Sequence, residues 1–324
     1  PTGTWPAAAG LEARAAAALP DFLLRQRWYP AKDAGRPEVA LAALLPFPVP
    51  GMPAAIALWR ATPPGRAPLL LFLPLALVPE GAVPPDARIA PAGEGWHLAD
   101  ALAADAFIRA WVEALLRGDA AAAAGRLRMG RTRHLAAAGL APGEDWAIRR
   151  GRAEQSNTSI RIGEGAILKL IRTLEEGIHP ELEVGRFLTE QAGFAATPAL
   201  LGWAELEGMP GEGAVTLSVL QRFVPNAGDG WAWVLERLGR AGEADGPRAL
   251  AEATGWLRRL GARTAEMHRA FAAGTDPAFR PEAVREDDLR RWLADAEAMA
   301  RRALDGLAAA GEGLDPEARP LARR

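Results

Sequence analysis

A small cluster of polar side chains stands out in a sequence dominated by Ala, Arg, Gly, Pro and Leu. The 324-residue chain contains only two lysines, Lys32 and Lys169, together with two asparagines and three serines. One of these lysines, one asparagine (Asn157) and two of the serines (Ser156 and Ser159) lie within residues 156–169. Because nearly every other positive charge is Arg, a lysine at position 169 indicates a site that suits a compact ammonium better than a planar guanidinium.

Lys169 lies on a predicted strand, residues 166–171, which follows a tight-turn sequence at residues 163–165. Period-two alternation places Ile167, Lys169 and Ile171 on one face of this strand and two leucines on the other. With apolar residues on both faces, we expect the strand to be buried on both sides. A lysine there needs a carboxylate or an anionic ligand, because an unpaired buried charge is costly.

A helix predicted over residues 179–190 offers that carboxylate. Pro180 suits its first turn, and Glu183, Phe187 and Glu190 share one face. A strand lysine paired with a helix glutamate is the arrangement with which protein-kinase-like folds hold ATP phosphates. In the alternative interpretation Lys169 extends its ammonium to solvent and Glu183 pairs on the surface with its neighbour Arg186.

The composition excludes several classes of protein. A net charge of −2 gives no basic excess for nucleic acid, and the absence of cysteine excludes disulfides and thiolate metal sites. The longest apolar run, residues 69–78, contains Pro74 and is too short to span a bilayer. His97 and His134 have no second ligand at metal-binding spacing, so no metal site is predicted. No signal peptide is visible, and we predict a cytoplasmic protein with no membrane or nucleic-acid partner.

The predicted elements indicate an α+β protein. A helix and strand-like runs form the first domain, residues 97–140 read as helical, and an antiparallel sheet with one crossing helix extends from about residue 144 to 224. The runs of the first domain are residues 11–28, 39–45, 55–59 and 69–75. Two further strands are predicted at 200–205 and 214–224, and two long helices at 248–271 and 286–309. Asp229 is expected to cap a helix, with a ligand contact as the alternative.

Six stretches, taken in order, resemble bacterial maltokinases, which are similar to eukaryotic-like and aminoglycoside kinases and make maltose 1-phosphate from maltose and ATP. They are Arg25–Trp28 with Lys32, Glu154–Ser159, Ile167–Leu170, Leu182–Arg186, Val224–Trp231 and Arg263–His268. Each stretch is weak evidence alone, but together they cover nearly the whole chain.

This resemblance implies a protein-kinase-like bilobal fold with an N-terminal α+β cap domain. Its parts would be a cap domain (1–88), a helical intermediate subdomain (89–143), a kinase N-lobe (144–225) and a partial helical C-lobe (226–324). The ATP-binding residues that it implies are Lys169, Glu183, Gln155, Ser156, Asn157, Thr158, Gln221, Phe223 and Val224. Among these, Lys169 and Glu183 would form the ion pair, residues 155–158 would be the turn that covers the phosphates, and residues 221–224 would be the hinge.

Phosphoryl transfer in such kinases also needs a catalytic-loop Asp, and an Asn and a second Asp for Mg²⁺. The only asparagine after the predicted hinge strand is Asn226, which lies too early. We therefore predict no catalytic residue in this chain, an incomplete C-lobe, and Mg²⁺ ligands in a C-terminal part beyond residue 324. A truncated sequence is preferred to a natural pseudokinase, and the chain alone is expected to be inactive.

The resemblance also implies maltose as the sugar substrate and a trehalose synthase domain in the same polypeptide or complex. Two alternatives stay open: a related sugar kinase such as a glucosamine kinase, and a non-catalytic nucleotide-binding or docking module. For an incomplete C-lobe we expect exposed apolar faces around Trp256, Leu257 and Leu260, and a compact region over residues 1–224.

Overall fold

The structure, a computed structural model, describes residues 5–6, 10–118, 126–151, 156–208, 213–243 and 245–310. Its described strands form two antiparallel sheets. The strands are β1 (Glu38–Pro46), β2 (Ala54–Thr62), β3 (Leu69–Phe72), β4 (Leu75–Pro79), β5 (Arg88–Gly93), β6 (Trp96–Asp100), β7 (Leu127–Arg131), β8 (Ile148–Arg150), β9 (Asn157–Ile162), β10 (Ala166–Ile171), β11 (Thr173–Leu174), β12 (Leu200–Leu206) and β13 (Val215–Arg222). The helices are α1 (Leu11–Arg25), α2 (Asp105–Arg117), α3 (Pro180–Arg186), α4 (Gly230–Gly239), α5 (Gly246–Ala273) and α6 (Glu286–Ala310). A π-helical segment, Phe187–Gln191, continues α3.

The first sheet has the strand order β11-β3-β2-β4-β6-β5, and β1 pairs along the other edge of β2. Helix α1 covers one face of this sheet. Its Ala-rich sequence favours a helix, and Ala15, Leu19 and Phe22 recur at the spacing of one helical face. All three side chains are almost completely buried, in one cluster with Trp59 of β2 and Leu71 of β3.

Helix α2 packs on the opposite face of the first sheet and also contacts the second sheet. The ring of Trp111 lies 5.2 Å from that of Phe47 and 5.9 Å from that of Phe72. Its indole N–H donates to Ser218 Oγ in β13, at 3.0 Å. The core is therefore continuous from the first sheet through α2 to the second sheet.

The second sheet has the strand order β7-β12-β13-β10-β9-β8. Leu168 and Leu170 of β10 point into the core shared with α2, as period-two alternation requires. Helix α3 packs on the other face, where Leu182 is buried against Leu200 and Val219. The predicted sheet with one crossing helix is thus observed.

The prediction of a helical region over residues 97–140 agrees with α2 and with two short 3₁₀-helical segments, Ala101–Ala103 and Leu135–Ala138, but it is wrong where two strands form. Residues 96–100 form β6, which pairs with β4 and β5 and extends the first sheet to Asp100. Residues 127–131 form β7, the edge strand beside β12. Both segments contain a few apolar residues at spacings that fit a helix poorly, and pairing with a neighbouring strand decides their conformation. The predicted low-complexity stretch at 120–124 lies outside the described residues.

Two compact units divide the chain, Pro1–Ala270 and Phe271–Arg324. In the first unit, Asp229 caps α4 by accepting a hydrogen bond from the Ala232 N–H at 2.8 Å, as predicted. The buried side chains among the described residues of α4 and α5 are Ala249 and Ala253. Leu257 and Leu260 are 49% and 47% exposed, as expected for these positions.

In the second unit, the described part of α6 has no buried residue, and Trp292 and Met299 are 51% and 65% exposed. Across all described residues, the structure contains no helix with the length and apolar character needed to cross a membrane.

Candidate nucleotide-binding site

The ammonium of Lys169 pairs with the carboxylate of Glu181, with 3.0 Å between Nζ and Oε2. The two side chains are 24% and 28% exposed, so both charged groups are partly shielded from water. Strand β10 supplies the lysine and the first turn of α3 supplies the glutamate. The predicted lysine–carboxylate pair is present, but its acidic member differs from the prediction.

The predicted partner Glu183 is replaced by Glu181 because of the rotation of α3. Residues two apart on an α-helix point about 200° apart, so only one of the two glutamates can face Lys169. Leu182 lies between them in sequence and is fully buried against Leu200 and Val219, which fixes the rotation. Glu181 is also held locally, since its backbone N–H donates to Nδ1 of the capping residue His179 at 3.2 Å.

The strand that carries Lys169 is buried on one face and half-exposed on the other, contrary to the expectation of burial on both. Cross-strand pairing places Ser159, Lys169 and Val219 in one row on the outer face. Val219 is fully buried below α3, whereas Ile167 and Lys169 are partly exposed. Helix α3 therefore covers only part of this face and leaves the lysine accessible to a ligand.

The segment predicted to cover the phosphates is described only in part, since Gln155 lies outside the described residues. Ser156 is exposed immediately before β9. Asn157 and Thr158 are not in a turn, because they form the first residues of β9 and pair with β10. Thr158 Oγ1 accepts a hydrogen bond from Arg172 Nε at 2.8 Å. The hydroxyl of Thr158 therefore contacts a protein group.

The predicted hinge residues lie at the end of β13 and just after it. Gln221 is half-buried in β13, and the N–H of Phe223 donates to the Gly165 carbonyl oxygen at 2.8 Å. The guanidinium carbon of Arg161 lies 4.0 Å from the centre of the Phe223 ring, a cation–π contact. Val224 is 53% exposed. The segment therefore leaves the sheet with a fixed phenylalanine and an exposed valine.

Charged residues form ion pairs at the β9–β10 turn. Glu164 accepts a hydrogen bond from Arg149 at 2.7 Å and also pairs with Arg161. The hydrogen bond from Arg149 holds the pKa of the Glu164 carboxyl below its ordinary value. Glu164 therefore stays ionised and supports the cation that stacks on Phe223.

These residues fit a nucleotide better than they fit a metal ion. Lys169 provides a partly exposed ammonium for phosphate, and Ile167 provides an apolar surface two residues away on the same face. Within the described ranges, no group of three or more His, Cys, Asp or Glu side chains is placed to hold a metal ion. The Mg²⁺ prediction therefore depends on the prediction of ATP.

Comparisons with known proteins identify relatives among glucosamine kinases. The chain is 28% identical over 177 residues to the glucosamine kinase of Mycolicibacterium smegmatis, which covers 52% of this chain and 42% of the relative. It is 34% identical over 131 residues to that of Streptacidiphilus jiangxiensis, covering 39% of this chain and 28% of the relative. The chain thus spans less than half the length of these curated relatives. No protein-family model matches it.

Solved structures of glucosamine kinases have the same fold. One crystal form superimposes with a TM-score of 0.57 at 24% sequence identity and covers 96% of this chain and 61% of that chain. A glucosamine kinase in complex with glucosamine, ADP and inorganic phosphate superimposes with a TM-score of 0.52 at 24% identity, covering 93% and 59%.

These findings correct the maltokinase prediction. The relatives and the structural neighbours described above are glucosamine kinases, the alternative to the maltokinase prediction, and they do not support maltose or a trehalose synthase partner. The broader resemblance to sugar kinases agrees with the comparisons. The chain has a mixed α and β fold with two antiparallel sheets, similar to that of glucosamine kinases.

Proposed function

We propose that this chain forms the nucleotide-binding part of an ATP-dependent sugar kinase that phosphorylates glucosamine. The observation that carries the proposal is the pair of Lys169 and Glu181, 3.0 Å apart on a half-exposed sheet face. A lysine on a central strand paired with a glutamate on the adjacent helix is how protein-kinase-like enzymes hold ATP phosphates. Glucosamine is proposed because the similar proteins are glucosamine kinases.

In this proposal Lys169 binds the phosphates and Glu181 orients the ammonium. Ile167 would pack against the nucleobase, and the base edge would form hydrogen bonds with the carbonyl oxygen of Phe223 and the backbone of Val224, since the N–H of Phe223 is already donated to Gly165. Ser156, immediately before β9, and Asn157, the first residue of β9, would lie near the phosphates. Mg²⁺ bound with the nucleotide would neutralise charge that develops in phosphoryl transfer. We place the reaction in the cytoplasm.

Nucleotide binding by the 324-residue chain tests the first half of the proposal. ADP and ATP, with Mg²⁺, would be titrated by calorimetry into the unmodified chain and into Lys169→Met. We expect Lys169→Met to weaken binding by about tenfold or more, since a hydrogen bond to a charged group contributes about 1.5–3 kcal/mol. Lys32→Met is the matched control, because Lys32 is the other lysine and is exposed in a short 3₁₀ helix of the first compact unit.

Sugar phosphorylation tests the second half. The product of the complete reading frame would be assayed with glucosamine, glucose and maltose, and turnover of glucosamine is the expected result. Lys169→Arg keeps the charge but replaces a point donor with a bulkier fork, so most of the activity should be lost. Nucleotide binding without turnover of any sugar would favour a non-catalytic nucleotide-binding module. Absence of nucleotide binding would overturn the proposal.

A further inference from the structure

The connection between Lys169 and Glu181 passes through the first sheet. Strand β10 ends at Ile171 in the second sheet, and β11 begins at Thr173, where it pairs with β3 of the first sheet. At the crossing point, the carbonyl oxygen of Arg172 accepts a hydrogen bond from the N–H of Phe72 at 2.9 Å. The two members of the ion pair are therefore joined by a segment that belongs to another sheet.

The side chain of Arg172 fixes this crossing point. It is 4% exposed, and its Nη2 lies 2.6 Å from Asp100 Oδ2 at the end of β6. Its Nε donates to Thr158 Oγ1 in β9 at 2.8 Å, and its guanidinium carbon lies 4.7 Å from the centre of the Trp28 ring. One buried guanidinium thus contacts the first sheet, the segment after α1, and the strand beside β10.

The return path to α3 is also held. Gly177 forms a bridge to Val215 at the start of β13. The N–H of His179 donates to Thr216 Oγ1 at 3.1 Å, and the Thr216 side chain is buried. His179 then caps α3 through the N–H of Glu181. The segment between Lys169 and Glu181 is therefore hydrogen-bonded to neighbouring strands near both of its ends.

We propose that Arg172 is a positioning residue for the nucleotide site, because it holds Glu181 against Lys169 before any ligand binds. Fixing a flexible connection costs conformational entropy. A connection already held by Arg172 has lost that freedom on folding, so ligand binding does not need to supply it. The role towards nucleotide rests on the proposed function, whereas the effect on the ion pair does not.

Amine labelling of the unliganded chain measures the ion pair directly. The unmodified chain has only two lysines, and Arg172→Lys and Arg150→Lys each add a third, so peptide mapping must assign acylation to each lysine separately. Acylation of Lys169 is then divided by that of exposed Lys32 in the same sample. The variants are Arg172→Lys, which keeps a charge for Asp100, and the double variant Arg172→Met/Asp100→Leu, which replaces the buried pair with apolar side chains. Both would be shown to be folded by circular dichroism and unfolding curves.

The matched control is Arg150→Lys. Arg150 also joins the second sheet to the region after β6, by donating to the Leu102 carbonyl oxygen and pairing with Asp105, but it is not on the connection to α3. We expect the ratio of Lys169 acylation to Lys32 acylation to rise by about fivefold in both Arg172 variants and to stay unchanged in Arg150→Lys. An effect of about fivefold is at the lower end of the couplings found between separate sites in proteins. An unchanged ratio in either folded Arg172 variant would overturn the proposal.

Nucleotide affinity provides the second readout. Arg172→Lys should weaken ADP binding by about fivefold in the unmodified chain but by less than about twofold in a Glu181→Gln background, because the two residues act through one ion pair. Effects that multiply would show that Arg172 acts independently of the pair and would refute the positioning role. If the unmodified chain bound no ADP, the proposed function would fail, while the labelling ratio would still decide whether Arg172 holds the pair.

Discussion

Matched substitutions at Glu181 and Glu183 test which glutamate acts with Lys169: Glu181, as in the structure, or Glu183, as predicted from the sequence. Glu181→Gln removes the charge 3.0 Å from the Lys169 ammonium while keeping the shape of the side chain. Glu183→Gln makes the same chemical change two residues later, at a partly exposed position on the other side of α3. The same change in charge therefore has different structural consequences.

The magnitude follows from the burial of the ion pair. Side chains that are 24% and 28% exposed lie between a surface pair, which contributes about 0–1 kcal/mol, and a buried charged hydrogen bond of about 1.5–3 kcal/mol. We therefore expect Glu181→Gln to weaken ADP binding by about 1.4 kcal/mol, which is about tenfold in Kd. For Glu183→Gln we expect a change of less than about twofold, since it does not contact Lys169.

Calorimetric titration of ADP into the three proteins measures both effects, with unfolding in urea as the control for stability. Glu183→Gln should change the free energy of unfolding by less than about 1 kcal/mol, and Glu181→Gln should lower it by no more than about 1.5 kcal/mol, the contribution of the ion pair, because the amide still fills the space. A larger loss of affinity in Glu183→Gln than in Glu181→Gln would show that the rotation assigned to α3 is wrong. Equal, unchanged affinities would show that the pair does not act on nucleotide.

Three further predictions concern the core and are tested by unfolding in urea. Ser218→Ala leaves the buried indole N–H of Trp111 without its acceptor and should cost about 1–2 kcal/mol; no loss would contradict the role of this hydrogen bond. Arg172→Met leaves the carboxylate of Asp100 buried and unpaired and should cost about 3–5 kcal/mol, whereas adding Asp100→Leu should restore most of it; a double variant as unstable as the single one would contradict this. Burial raises the pKa of Tyr29, the only tyrosine. Above about pH 10 its phenol therefore ionises in the unfolded chain while it is still neutral in the folded chain, so the free energy of unfolding should fall as pH rises further. Titration of phenol absorbance should show the raised pKa in the folded chain, and Tyr29→Phe should abolish this contribution to the loss of stability at alkaline pH. The same phenol pKa in the folded and unfolded chains would refute the prediction.

Much of the second sheet could be predicted because its signals are local. Alternation and the tight turn define β9 and β10, and Pro180 with the acidic residues near it defines the start of α3. Periodicity shows which residues share a face of a helix, but it does not show which face packs on the sheet. Leu182 decides that question through its contacts with Leu200 and Val219, so the glutamate next to Lys169 could not be chosen correctly from spacing alone.

Strand β7 shows a second limit. Only two of its side chains are strongly apolar, and its conformation depends on pairing with β12. One local signal was available in Gly130, where a Cβ atom would lie 2.1 Å from the ring of Trp203. A glycine in an extended segment indicates close approach of another group, but the sequence does not name that group. The pair of Asp100 and Arg172, separated by 72 residues, gave no local signal.

The choice of lysine at position 169 and of arginine at position 172 now has a structural explanation. At position 172 a planar fork is required, because one buried guanidinium contacts Asp100, Thr158 and the ring of Trp28. Three residues earlier, in β10, Lys169 pairs with one carboxylate, that of Glu181, and its side chain remains partly exposed. A compact ammonium can keep that contact and still turn a donor towards a phosphate, whereas a guanidinium held by Glu181 would direct its remaining donors in fixed directions. Positions 172 and 169 thus need different cations three residues apart. Arg172→Lys should therefore weaken the hold on the connection to α3, and Lys169→Arg should impair the proposed nucleotide site.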